Sequence, residues 1–288
     1  MNKLYTFKTS QIFNKDNFPL ENLNLKSLRE NYWIKINLKK GFINLITLDE
    51  NLNTILKQSF VINSDIDYLE PNKKYTLELS NDCELSYELL STSQYYAKNK
   101  YITPGVAHST LCKYEDLFQE NNKVLDLGCG SGRNSLYLNL LGCRVSAYDF
   151  NINSLSQLNE IVSKNSLQGI NIKHYDINTA DIESVYDHIV STVVLMFLNP
   201  ARIKDIILNM QTHTKLQGTN IIVCAMDSKE YPKPEWFSFG FKAGELQEYY
   251  KDWEIILYDE SLGKLHRKDI FGNRIELKFV TLIARKPK

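Results

Sequence analysis

One stretch constrains this chain more than any other. Val124-Leu-Asp-Leu-Gly-Cys-Gly-Ser-Gly-Arg-Asn134 joins a short apolar run to a glycine-rich turn and then to a helix start. Gly128, Gly130 and Gly132 let the backbone turn tightly and approach a ligand closely. Alone, such a turn is weak evidence, because nucleotide sites of several classes use one. Its surroundings make it part of a repeating pattern. Apolar runs at 123–127, 144–148, 170–175, 187–194 and 219–225 alternate with helical periodicity at 131–141, 152–164 and 201–214. That alternation implies a parallel sheet with helices on both faces. The runs at 253–258 and 275–284 have no helix of normal length between them, so they are expected to pair antiparallel or to separate.

The chain changes character near residue 92. Tyr32 to Leu38 and Phe42 to Leu48 alternate around Lys39-Lys40-Gly41, which reads as a hairpin. Lys74 to Leu79 and Glu84 to Leu90 flank Ser80-Asn81-Asp82-Cys83, a second hairpin signal. Residues 1–91 are therefore expected to form a small all-β sandwich or barrel, residues 92–107 a linker or lid, and residues 108–288 the α/β domain. Lys plus Arg equals Asp plus Glu at 34 each, so no charge imbalance points to nucleic acid or an anionic membrane. The five cysteines show no CxxC spacing, which argues against a disulfide framework or a cysteine zinc site and fits a reducing cytoplasm. No apolar run reaches the length of a membrane helix, and the first residues do not read as a signal peptide. His174, His188 and His213 show no metal-ligand spacing, and no metal is expected.

Asp126 narrows the choice of ligand. It stands at the strand end, two residues before the first glycine. A dinucleotide would set its pyrophosphate over the following helix N-terminus, where a carboxylate would repel it. S-adenosylmethionine carries an ammonium and a sulfonium instead, and a carboxylate suits both. The spacing is also GxGxG, with Arg133 where GxGxxG would continue. Asp149 ends the second strand, placed to accept from ribose hydroxyls. Asp176 ends the third, placed to accept from an adenine amino group. Each acid alone reads equally as a solvated cap. Three at successive strand ends fit a cofactor on the carboxyl edge. Arg133, Phe150, Ile177 and Thr192 complete the expected cofactor set.

These residues have a family likeness. Together with Gly132-Arg-Asn-Ser-Leu-Tyr-Leu138, Ser191-Thr-Val-Val-Leu-Met-Phe-Leu198, Tyr249-Tyr-Lys-Asp-Trp253, Gly263-Lys-Leu-His-Arg267, Gly272-Asn-Arg-Ile275 and Ala284-Arg-Lys286, the chain resembles the TehB-type tellurite-resistance methyltransferases. The resemblance runs from His108 to Lys286 and is to the long form of the family. It implies an α/β fold with a Rossmann-like class I methyltransferase sheet, mostly parallel with an antiparallel last strand. It also implies a preceding cupin-like β domain. The family's Trp-His pair after Glu-Pro is replaced here in Glu70-Pro71-Asn-Lys-Lys-Tyr75, and residues 1–91 hold no histidine. An accessory role, or a homodimer through this domain, is therefore expected in place of a metal site.

The resemblance implies methylation of tellurite- or selenite-type oxyanions, or their reduced forms. Fixed cations suit such an acceptor, and arginine is planar, always charged and forked. Arg267 and Arg274, matching the family's His-Arg and Asn-Arg positions, are expected to bind the anion. His266 is expected to move a proton. A solvated basic hairpin is the plain alternative. His108-Ser109 matches the family's His-Ser, as a closing element or a helix cap by Ser109. Trp236-Phe-Ser-Phe239 reads as pocket wall or core, and Lys233 stands where family members often carry Cys. Competing expectations are a small organic acceptor, such as a thiol or thiopurine, and a non-catalytic S-adenosylmethionine-binding module. Nucleic-acid methylation is disfavoured, since Ser191-Thr-Val-Val replaces the Asn/Asp-Pro-Pro-Tyr signature.

Overall fold

A computed structural model describes residues 3–18, 31–64, 66, 68–103, 105–268 and 272–288. The chain forms two compact units, Met1–Cys112 and Lys113–Lys288.

The first unit holds β1 (Leu4–Thr9), β2 (Phe13–Asn14), β3 (Trp33–Lys40), β4 (Phe42–Leu48), β5 (Thr54–Val61), β6 (Lys74–Leu79), β7 (Glu84–Thr92) and α1 (Ser93–Tyr101). β7 pairs antiparallel with β1, β2 and β3, while β4 pairs with β5 and β6 in a separate sheet. Both expected hairpins are therefore corrected. β3 and β4 do not pair with each other, nor do β6 and β7; each turn carries the chain from one sheet to the other. Alternation fixes which side chains point inward, but not whether successive strands lie side by side or face to face. The two crossings pack together. Gly41 sits at φ +77°, where an added Cβ would lie 2.3 Å from Ser80 Oγ and 2.9 Å from the Cys83 Cα. The backbone N–H of Phe42 donates to Ser80 Oγ, and that of Ser80 donates back to the Phe42 carbonyl. Ile34, Ile36, Ile43, Leu45, Leu77 and Leu85 fill the space between the sheets. The stretch expected as linker or lid carries α1, which packs on β1 and β7 with Ala97 buried. α2 (Ser109–Lys113) follows.

The second unit holds β8 (Lys123–Leu127), α3 (Arg133–Leu140), β9 (Arg144–Asp149), α4 (Ile152–Lys164), β10 (Ile170–His174), β11 (Tyr186–Thr192), α5 (Ile203–Thr212), β12 (Thr214–Ala225), α6 (Glu245–Tyr249), β13 (Glu254–Lys268) and β14 (Arg274–Arg285). The sheet runs β10-β9-β8-β11-β12-β14-β13. β8 to β12 are mutually parallel, and β14 is antiparallel to both β12 and β13. The strand order reverses between β8 and β11, the crevice where open α/β sheets bind ligands. Residues 175–185 connect β10 to β11 without a helix. Leu125, Leu127, Ile189, Ile222, Leu277 and Leu282, all fully buried, form the centre of the core.

His188 on β11 is buried and bonds Thr219 at 2.8 Å and Asn122 at 3.0 Å. Burial pushes its pKa down to about 4. The unfolded chain therefore binds a proton that the folded chain refuses. This contribution is whole above pH 6.5 and is lost as pH falls towards 4, by about 3 kcal/mol at most. We expect the His188 ring to stay neutral in a nuclear magnetic resonance titration down to about pH 5. A ring titrating near 6.5 would sink this reading.

Candidate active site

The site is built at the carboxyl edge of β8, β9, β10 and β11. At the end of β8 the backbone enters the left-handed region at Gly128, φ +80°. There the N–H groups of Gly128 and Cys129 both donate to the Tyr148 carbonyl, at 2.8 and 3.0 Å, tying the turn to β9. A Cβ at Gly128 would lie 2.4 Å from Val194, so the turn packs directly on the segment leaving β11. Gly130 is different: φ is +54° and a Cβ there would meet nothing within 4 Å. The open space above Gly130 is where a ligand can approach the backbone.

Asp126 is buried, at 1 % exposure, and its Oδ2 accepts from Ser135 Oγ at 2.5 Å. Burial pushes its pKa up to about 6; the Ser135 hydrogen bond and the half-buried Arg133 guanidinium oppose that rise. Arg133 in turn is shifted down by burial, against the pull of Asp126. Asp149 ends β9 with both oxygens engaged: Oδ2 accepts the Gly130 N–H at 2.8 Å and Oδ1 the Asn151 N–H at 2.7 Å. It pins the glycine turn to the start of α4, and its remaining lone pairs stay available. Asp176 is half-buried and accepts from the Asn178 N–H at 2.9 Å. Ile177 is buried and its carbonyl takes Nε of Arg202 at 3.0 Å. Phe150 is 68 % exposed, with its ring 6.4 Å from that of His174. Thr192 closes the opposite wall; its Oγ1 accepts from Nδ2 of Asn134 at 2.9 Å, both groups buried.

The expected cofactor residues therefore gather along one edge, and they fit S-adenosylmethionine. A buried carboxylate whose charge is left poorly compensated suits a cation, an open glycine leaves room for backbone approach, and an exposed ring stands ready to stack. The sequence reading missed Asn134 and Ser135, which the first turn of α3 turns towards Thr192 and Asp126. It also missed Val193, a β-branched residue held at φ +60° directly after Thr192. Such strain persists only where the surroundings impose it, and it clusters at functional sites. A polar pair spaced one helical turn after the glycines was the available signal for the first two; nothing in the sequence marks Val193.

The β13–β14 hairpin reaches past this edge. Ala225, the last residue of β12, pairs with Phe279, which pairs with Ser261. Residues 262–268 and 274–278 continue beyond, roughly 17 Å of extended chain. Near its tip the exposed Arg267 stacks on Trp236, its guanidinium carbon 4.2 Å from the ring centroid. Phe237 beneath is buried and meets Phe197 edge-on at 5.1 Å. Trp236-Phe-Ser-Phe239 is thus both wall and core: Trp236 is 44 % exposed, Phe237 only 3 %. Lys233 Nζ donates to the Phe237 carbonyl at 2.6 Å. Asp227 anchors the same loop through Lys242 Nζ at 2.8 Å and the Lys233 N–H at 3.1 Å. Lys242 and that N–H hold the Asp227 carboxyl below the usual range.

Arg274 is engaged differently. Its Nε and Nη2 donate to the Leu265 and Lys264 carbonyls at 2.8 and 2.9 Å, holding the hairpin together. The His266 side chain and residues 269–271 lie outside the described residues. In the first unit, His108 rather than Ser109 caps α2. Its Nδ1 accepts from the Thr110 N–H, and its carbonyl accepts from Leu111 and Cys112.

Fold and site together define a class I S-adenosylmethionine-dependent methyltransferase. Residues 89–283 match the family described as tellurite resistance protein TehB. The Haemophilus influenzae protein named "Probable S-adenosyl-L-methionine-dependent methyltransferase TehB" is 42% identical over 286 residues, 99% of each chain. The crystal structure of TehB from Haemophilus influenzae superposes with a TM-score of 0.84, at 42% identity over 99% of both chains. A protein of Eikenella corrodens named hemagglutinin 1 is 44% identical over 165 residues, 57% of this chain and 55% of its own. The chain belongs to the TehB family. Among the described residues, no helix is long and apolar enough to cross a membrane.

Proposed function

We propose that this methyltransferase acts on small chalcogen oxyanions, tellurite and selenite or their reduced forms, and thereby confers resistance to them. One observation carries the reading: a guanidinium stacked on an exposed indole, on a hairpin that overhangs the cofactor edge. Bound S-adenosylmethionine supplies an electrophilic methyl group. Asp126 holds its ammonium, Asp149 its ribose and Asp176 with Ile177 its adenine, while Phe150 stacks on the base and Arg133, Thr192 and the three glycines shape the cradle. Arg267 fixes the anion with its fork of donors, and Trp236 keeps that fork in plane. Arg274 holds the hairpin and keeps Nη1 for the same anion. His266 takes the O–H proton of a protonated oxyanion, which raises the nucleophilicity of the chalcogen's own lone pair. Rate then comes mainly from orientation.

Arg267→Ala is expected to lower kcat/KM for selenite by about 100-fold, with cofactor affinity unchanged, because a charge-assisted bidentate contact is lost. Arg267→Lys should rescue little, since an ammonium neither forks nor stacks flat. Headspace mass spectrometry of methylated selenium, with a thiol reductant in the assay to convert selenite and its methylated product to volatile forms, and cofactor affinity by calorimetry measure both. Equal turnover by the alanine variant would refute the assignment.

A second reading has its own support. Phe197 and Trp236, 54 % and 44 % exposed, offer an apolar wall that a flat organic thiol or thiopurine would use. Such soft nucleophiles need little base catalysis, so His266→Ala should leave their methylation nearly intact while oxyanion turnover falls.

A further inference from the structure

Among the described residues, nothing covers a cleft at the end of the inner face of β5. Cross-strand partners share a face, and β5 pairs Phe60 with Ile43, Gln58 with Leu45 and Leu56 with Thr47. Ile43 and Leu45 belong to the core between the two sheets, so Leu56, Gln58 and Phe60 point the same way. Yet Leu56 remains 49 % exposed. It lines a cavity of about 630 Å³ together with Thr47, Gln58, Phe60, Tyr68 and Tyr75. That volume falls within the range of small-molecule sites, and barrel and sandwich mouths commonly hold them.

The polar groups say what would fit. The charged groups stand at the rim: Lys73 Nζ pairs with Glu70 at 2.6 Å, Lys74 Nζ donates to the Glu50 carbonyl at 2.9 Å, and Asp49 accepts from the Asn51 and Asn53 N–H groups. The Tyr75 hydroxyl accepts the Glu70 N–H at 3.1 Å. The Gln58 amide and Thr47 hydroxyl find no hydrogen-bond partner among the described residues, though both face the cleft. The middle of the opposite face of the same strand carries a polar network, flanked by the exposed Ile55 and Val61. Lys57 bonds Glu78, Glu78 accepts from Asn44, and Asn44 accepts from Ser59.

We infer that the mouth of the N-terminal β unit binds a neutral, largely apolar small molecule with one hydrogen-bonding end, whose polar atom meets Gln58 and Thr47. Leu45, Thr47, Leu56, Gln58, Phe60 and Tyr75, which share the inner face at the cleft, carry no charge, so a charged ligand would be desolvated against them without a counter-charge, and a wholly apolar one would leave the amide and hydroxyl unpaired. The apolar side chains supply the affinity and the two polar ones the orientation.

The full-length protein is titrated with N-phenyl-1-naphthylamine, a neutral fluorescent amine with a single N–H, in the presence and absence of S-adenosylmethionine. We expect saturable binding at one site per chain. Leu56→Lys and Gln58→Glu each place a charge in the cleft at a solvent-accessible position and should weaken binding about tenfold or more. Ser59→Ala, on the opposite face of the strand, should bind within about twofold of wild type, and cofactor affinity should not change in any variant. Hydrogen exchange should show protection by the dye at residues 45–48 and 54–60. Absence of saturable binding, or unchanged binding in both cleft variants, overturns the inference. So does a dye site that disappears as the protein self-associates in sedimentation, which would assign the cleft to a second copy of the chain.

Discussion

Asp126→Asn is expected to weaken S-adenosylmethionine binding by about 100-fold or more and to stabilise the cofactor-free protein at neutral pH. Both effects follow from one buried carboxyl. Its folded pKa of about 6 lies above the ordinary 3.8, because burial penalises the charge more than Ser135 and Arg133 relieve it. A raised carboxyl adds stability only while it is protonated. That contribution is lost as pH rises from about 4 through 6, leaving a penalty of up to about 3 kcal/mol at pH 7.5. Asparagine still accepts from Ser135 but carries no charge, so the penalty disappears. The charge is what the cofactor's ammonium would meet, and truncating one side of such a buried pair costs about 2–5 kcal/mol. Wild-type affinity should also fall below pH 6, whereas the variant's should stay flat. His188 works in the opposite direction over nearly the same range, since its stabilisation is lost on acidification. Wild type should therefore change little between pH 6 and 4 from these two groups, and the Asp126→Asn variant should show the His188 loss unopposed. Calorimetric titration and thermal unfolding at pH 5 and 7.5 check each part; undiminished affinity at pH 7.5 would remove Asp126 from the cofactor site.

Gly128→Ala should destabilise the protein by about 2–5 kcal/mol and abolish cofactor binding. Two costs combine. The left-handed φ of +80° strains any residue with a Cβ, by about 1–2 kcal/mol. The new carbon would also lie 2.4 to 2.5 Å from both methyls of Val194, an overlap costing about 1–3 kcal/mol more. Val194 follows Thr192 by two residues, so the displacement moves the wall of the cradle. Val194→Ala alone should be mild. The double variant should recover the overlap term but not the backbone term, giving a coupling of about 1–2 kcal/mol in urea denaturation. Strict additivity would mean that the turn and the β11 segment do not press on each other.

The α/β unit was largely legible in sequence because its signals are local. Apolar runs with helical spacing between them define elements, and Asp126, Asp149 and Asp176 fall at strand ends, where a parallel sheet must bring them together. The antiparallel end was legible for a similar reason, since no helix could carry a crossover. What escaped depends on distance. Arg267 and Trp236 are 31 residues apart in sequence, and only the folded loop of 227–243 sets the ring under the guanidinium. Arg274 looks like a second anion ligand from its spacing, yet two carbonyls of the neighbouring strand take most of its reach. In the first unit, alternation around Gly41 and around Ser80–Cys83 was read as pairing. The same pattern serves two strands that face each other across a core, and only the paired crossings at Gly41 and Ser80 decide between them.

The sheet order has a consequence for synthesis. β14 lies between β12 and β13, so β13 has no neighbour in the sheet until β14 has been made. A nascent chain paused between the two presents the open edge of β12 and an orphaned fifteen-residue strand, the kind of exposed pairing surface that recruits other chains. The β13–β14 hairpin is then among the last parts of this unit to form, and a stalled chain would be an aggregation hazard before it could be an enzyme.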